Sequence, residues 1–189
     1  MTIRARHPQV ATDTYQDKAW YAIVTRFRNE KHVARLLEKK GIETFLPLHR
    51  VTRKYASGKK SFDLPLISCY VFPLMHLRDH VKVLETPGVI KFVRFCNDIV
   101  KVPEEDILTM QRVIRGDYPM EVLDHEISTG DEVEVTAGSL IGVRGSILQI
   151  NNRKRFVISI TNIGRSITIE IDARLLRPVR RSTTSRKIS

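Results

Sequence analysis

Long apolar runs, paired cysteines and catalytic signatures are all missing from this 189-residue sequence, and each absence removes a class of function. No window approaches 18 consecutive apolar residues, so no membrane-spanning helix is expected. The opening MTIRARHPQVATDTYQDKA lacks the apolar centre of a secretory signal and reads as a polar tail, which gives the cytoplasm as the expected location. The two cysteines, Cys69 and Cys96, fall in the strand-like runs SCYVF and VRFCN. They are expected as buried thiols of a reducing compartment and not as a disulfide. There is no nucleophile elbow, no phosphate-loop lysine and no dinucleotide fingerprint. His76 and His80 stand four apart with Asp79 between them, but a zinc site needs three or four ligands and no further Cys/His pair has suitable spacing. Glu104, Glu105 and Asp106 are consecutive in the first turn of an expected helix, where they complement its dipole instead of flanking a substrate. Binding without catalysis, cofactor or metal is the expectation.

Glycine is also sparse, at nine residues, yet five of them fall within residues 130–179. The stretch VTAGSLIGVRGSILQI (135–150) holds Gly138, Gly142 and Gly145. A phosphate-cradling loop leads into a helix N-terminus, whereas this one leads into another strand, SILQI. Barrel turns are the better reading. Val, Ile and Thr make up 17 of the 50 residues from 130 to 179 with no helical stripe, which predicts a small β-barrel.

What the sequence does hold is positive charge, at +11 overall, unevenly spread. Residues 19–115 contain 18 basic and 10 acidic side chains, while 116–129 carry four acids and no Lys or Arg. A basic body facing a polyanion is expected. AWYAIVTRF (19–27) reads as a buried strand. Asn29 is a candidate N-cap, Val33, Leu36 and Leu37 recur at helical spacing, and Gly41 closes that helix. Residues 42–55, 62–72 and 88–96 read as strands, with ASGKK (56–60) a turn and Pro65 a break. Leu77, Val81 and Leu84 mark a short helix. Pro103 opens a second long helix, with Ile107, Met110, Gln111 and Ile114 as its stripe and Gly116 as its end. The organisation predicted is a polar tail (1–18), an α/β sandwich (19–115), a linker (116–129) that lets the domains move independently, a β-barrel (130–179) and a basic tail (180–189).

Two surfaces are candidates for binding. No acid lies between Thr44 and Phe62, where Arg50, Arg53, Lys54, Lys59 and Lys60 make a cationic hairpin. Such a hairpin suits phosphate contact; an edge strand protected by lysines reads almost the same. Around it lie Phe45, Pro47 and Leu48, then Leu66, Ile67 and Tyr70. Part of this set is expected in the core, and the remainder as an exposed apolar patch of the kind that marks an interface.

These residues also resemble a known family. WYAIVTRFRNEKHVARLLEKKGIETFLP, PLISCYVF and TPGVIKFVRF resemble the N-terminal domain of bacterial NusG proteins. GDEVEVTAGSLIGVRGSILQI and TNIGRSITIEID resemble the KOW domain, an SH3-like β-barrel. The likeness spans residues 19–179, and KFVRF is closer to the specialised UpxY and RfaH type. The resemblance implies an α+β protein, monomeric, whose sandwich sits on the clamp of RNA polymerase, suppresses pausing and promotes antiterminated transcription of specific operons. It implies a polymerase contact through Pro47, Leu48, Ile67 and Tyr70, with Ile67-Ser68-Cys69-Tyr70 standing where the family has Phe-Pro-Gly-Tyr. It also implies that the cationic hairpin lies near upstream or non-template DNA. Through Asn162, Ile163 and Arg165, at the family's Ile-Phe-Gly-Arg position, it implies a ribosomal small-subunit protein or a termination factor as second partner. An RNA- or ribosome-binding protein is the alternative, since KOW barrels also occur in ribosomal proteins.

Overall fold

The computed structural model describes residues 17–95, 97–123, 131–150, 153–160 and 163–179. Most of both expected tails, the 124–129 part of the expected linker, Cys96 and Asn162 lie outside the described residues. The chain runs through β1 (Ala19–Tyr21), β2 (Ile23–Thr25), α1 (Glu30–Lys39), β3 (Glu43–Phe45), β4 (Leu48–Tyr55), β5 (Gly58–Pro65) and β6 (Tyr70–Met75). Then follow α2 (His80–Leu84), β7 (Val89–Phe92), β8 (Arg94–Phe95), β9 (Asp98–Ile99), β10 (Lys101–Val102) and α3 (Glu104–Arg115). The last part holds β11 (Met120–Leu123), β12 (Asp131–Val135), β13 (Arg144–Ile150), β14 (Arg153–Ile160), β15 (Arg165–Ile169) and β16 (Leu176–Pro178).

The apolar run at 19–25 is apolar throughout because both of its faces are covered. Side chains alternate across a strand. Tyr21 and Ile23 enter one core with Val71, Met75, Val33 and Leu37, while Ala22 enters another with Phe72, Ile107, Met110 and Val113. Thus α1 and α2 cover one face of the sheet β10-β1-β6-β2-β7, and α3 covers the other; β3 pairs with β6 beside it. The result is the α/β sandwich expected. Helix α1 ends in a pair of bonds, Ile42 N–H to Leu37 C=O at 3.0 Å and Gly41 N–H to Glu38 C=O at 2.9 Å. Ile42 also packs in the same core as Leu37, the apolar contact that accompanies such a cap.

Three local expectations are corrected. In α2 the buried side chain is Val83, and Val81 and Leu84 are exposed, because the helix is a single turn set against β7. In α3 the buried stripe is Ile107, Met110 and Val113. Gly116 ends α3 as expected, with φ −77°, and Asp117 after it turns left-handed. Cys69 is not in a strand: it occupies the turn between β5 and β6 with φ 66°.

The second part is one antiparallel sheet in the order β11-β15-β14-β13-β12-β16. Pairing of β16 with β12 brings the last strand back beside the first strand of the expected barrel, while β11 and β16 end the ladder. Gly138 and Gly142 take left-handed turns between β12 and β13. Gly145 is needed for a different reason: a Cβ there would stand 2.2 Å from the Val157 carbonyl oxygen and 2.7 Å from the Phe156 ring. The segment expected to be a linker instead contains β11, whose Met120–Leu123 pair with Ile169–Ser166. Glu121 reinforces this, accepting from the Thr168 hydroxyl at 3.1 Å through its carbonyl and facing Arg155 at 3.9 Å through its carboxylate.

The two sheets share a core. One apolar cluster joins Ala22, Ile67, Phe72 and Met110 of the first part to Val135, Leu140, Phe156, Ile163 and Ile167 of the second. Polar contacts flank it: Arg112 donates to the Ile141 carbonyl at 3.3 Å, and Tyr118 and Ser139 share a hydroxyl bond of 3.0 Å. In this structure the two domains pack on each other through this core.

Candidate functional site

The turn that carries Ile67 and Tyr70 is held from beneath. Glu30, the first residue of α1, is 3% exposed, and its Oε1 accepts the Cys69 N–H at 2.8 Å. The Cys69 carbonyl in turn accepts from Thr25 N–H at 2.8 Å. Burial, then the nearby Glu30 charge, pushes the Cys69 thiol above its ordinary range. This double grip fixes a left-handed residue that is not glycine, and so sets where Tyr70 points.

Of the four residues expected to dock on a partner, none lies open. Pro47 is buried, Ile67 is 2% exposed, and Leu48 and Tyr70 are half-buried. The expected exposed patch is covered by the second domain. The Arg165 guanidinium sits over the Tyr70 ring at 5.4 Å, and Ile163 is buried in the same cluster as Ile67. The structure therefore brings Ile67 and Tyr70 together with Ile163 and Arg165, two sets that the sequence placed on separate surfaces. Beside Tyr70 the sequence reading missed an open groove of about 530 Å³ lined by Val24, Leu84, Ile90 and Arg94. Ile90 is 55% exposed, and Phe95, in β8, is 75% exposed. They escaped notice because GVIKFVRFC reads as one strand, whereas the chain breaks between β7 and β8.

The cationic hairpin is a separate two-stranded unit, β4 against β5. Its register, from Leu48↔Pro65 to Tyr55↔Gly58, sorts the expected basic residues onto two faces. Arg50, Lys54 and Lys59 share one face with the Thr52–Ser61 hydroxyl bond of 3.0 Å. Arg50 is paired with Asp63 at 3.6 Å. Arg53 and Lys60 share the other face with Tyr55 and Phe62, whose rings meet edge to face at 6.3 Å. At the tip, Arg53 opposes Lys60 and Lys54 opposes Lys59. Like charges directly opposite destabilise a ladder, and an isolated two-stranded hairpin is marginal in water. Two such pairs in succession are an arrangement that a bound polyanion relieves.

Residues 18–111 match the family described as transcription termination factor nusG. No curated protein matches the chain. Among solved structures, one on domain interaction in Thermotoga maritima NusG is 18% identical, with a TM-score of 0.51, covering 88% of this chain and 99% of that one. A structure of the MjSpt4:Spt5 complex is 19% identical, with a TM-score of 0.30, covering 86% of this chain and 97% of that one.

Proposed function

Because residues 18–111 form a NusG-family domain, we propose that this protein is a transcription elongation factor that docks on the clamp of RNA polymerase. The family is one of transcription factors, so the protein acts by binding and not by reaction. The family identity of that domain is the single observation that carries this reading. The geometry supports two further parts of it. The apolar turn with Ile67 and Tyr70, flanked by Leu48, is the docking contact, and the hairpin tip with Lys54, Lys59, Arg53 and Lys60 holds DNA by its phosphates. Arg50, spent on Asp63, contributes less.

In this reading the second domain has two roles. It occupies the docking turn through Arg165 and the shared core, and after release it offers Ile163 and Arg165, with Asn162, to a ribosomal small-subunit protein or a termination factor. Docking on polymerase thus requires the domains to part. The likeness to UpxY- and RfaH-type sequences supports action on specific operons, as an antiterminator.

The test is binding of the full chain to a purified, stalled elongation complex, followed by read-through of a downstream terminator on several leader sequences. Salt-sensitive binding with increased read-through on a subset of leaders supports the proposal. No binding at any salt concentration overturns it in favour of an RNA- or ribosome-binding protein.

A further inference from the structure

The second sheet carries a groove of about 460 Å³ at the end where β12 begins and β16 finishes. The buried or half-buried side chains of Val133, Ile147, Phe156, Ile171 and Leu176 line it, and the exposed Asp131 and Glu132 stand at its rim. Asp131 pairs with Ile147, and Phe156 pairs with Ile169. This end is therefore remote from the turn carrying Ile163 and Arg165, which joins the opposite ends of β14 and β15. Glu134, further along β12, is paired with Arg144 and Arg177, each at 3.2 Å. Among the described residues, Asp131 and Glu132 have no such cation. An apolar groove with two uncompensated acids at its mouth fits a segment that is basic and carries an apolar side chain.

We propose that this groove holds the chain's own basic tail, residues 180–189, with its cations on Asp131 and Glu132 and Ile188 on the apolar lining. Two stretches of chain adjoin the groove. DHEISTG (124–130) leads into β12 and brings two more acids, which the rim repels. RRSTTSRKIS (180–189) follows β16 and brings four cations and one apolar side chain. Val179, itself in the groove wall, donates its N–H to the Glu132 carbonyl at 2.9 Å, which extends the pairing Val133↔Pro178. The same register carried on by one residue sets Arg180 opposite Asp131, and residues directly opposite share a face. From there to Ile188 the chain reaches about 30 Å when extended, enough to turn back onto the groove. A basic peptide of another protein meets the same chemistry, but the tail is tethered at the rim, where its effective concentration is about millimolar. Held this way, the tail closes the open end of the sheet and keeps its four cations from other polyanions.

The experiment is nuclear magnetic resonance on the full chain with labelled isoleucine and leucine methyl groups. The expected result is a set of Overhauser contacts from the Ile188 methyls to those of Ile147, Ile171 or Leu176, lost as salt rises from about 0.05 to 0.5 M. Two charge variants then test the pairing. One carries Asp131→Lys with Glu132→Lys, at exposed positions whose change should leave the sheet intact. The other carries Arg180→Glu, Arg181→Glu, Arg186→Glu and Lys187→Glu and alters no residue of the sheets. Each variant alone should lose the contacts and shift the groove methyl signals, and the two combined should restore both. Absence of Ile188 contacts at low salt overturns the proposal. Contacts from Ile127 in their place assign the groove to residues 124–130 and overturn it as well. Contacts found only between differently labelled copies in a mixed sample overturn the intramolecular arrangement in favour of a second copy. Contacts that persist in either charge variant, or that fail to return in the combination, overturn the ion pairing.

Discussion

Glu30 shows how much one buried carboxylate can decide. It is almost fully covered, and its bond to the Cys69 N–H is what allows a left-handed non-glycine residue two positions after Ile67. Glu30→Ala leaves a part-buried N–H without its acceptor, which costs about 1–3 kcal/mol. The expected result is a lower midpoint in urea together with altered exposure of Tyr70; an unchanged midpoint would refute this role. Asp106 acts in the opposite sense. Burial, and then the neighbouring Glu105 charge, raise its carboxyl to about 6. A raised folded-state value favours the protonated form, so this contribution to stability is fully present below the ordinary aspartate value of 3.8 and is lost as pH rises through about 6. Asp106→Asn should therefore be more stable than wild type at pH 7 and should flatten the dependence between pH 4 and 6, read by thermal unfolding across that range. The sequence placed Asp106 correctly at a helix N-terminus, but burial of one side of that first turn depends on packing that no local pattern records.

The elements were largely legible where a period was long. Helix α1 announced itself through Val33, Leu37 and Gly41, and its terminal bonds follow that reading. Short elements were not, because one turn of helix at α2 has no period to average over, and Val83 displaced Val81 and Leu84 in the core. Strand β11 was hidden by the composition of its neighbours: an acidic, proline-bearing stretch reads as a linker until β15 offers it a partner edge. For the hairpin, charge was visible in the sequence and facing was not. Its two-residue turn, Ala56-Ser57, sets a register that puts Lys54 opposite Lys59, and one residue of slip would reverse every face. That register makes a prediction with two signs. Lys59→Glu replaces a like-charge pair by an opposite one, which should stabilise the hairpin by about 0.2–1 kcal/mol. The same change should weaken duplex binding and lower its salt slope by about 1–2. Loss of binding together with loss of hairpin order would instead mean that the lysines serve the fold.

At the scale of the whole molecule, the candidate sites were legible as residues but not as neighbours. Tyr70 and Arg165 are separated by about half of the chain, and only the docked arrangement of the two sheets puts the guanidinium 5.4 Å from the ring. This pairing allows the proposed closure of the docking turn to be tested by two substitutions. Arg165→Ala and Tyr70→Ala both remove the same cation–π contact, worth about 0.5–2 kcal/mol, and both should loosen the domains. Their effects on polymerase should nevertheless diverge. If closure withholds the docking turn, the apparent affinity of wild type is reduced by the fraction of open protein. Arg165→Ala raises that fraction and should bind a stalled elongation complex about 2–30-fold more tightly. Tyr70→Ala also opens the protein but removes a side chain of the proposed docking contact, so it should bind more weakly than Arg165→Ala. Matching affinities for the two variants would remove Tyr70 from the docking contact. An unchanged affinity for Arg165→Ala would show that the second domain does not restrain the first.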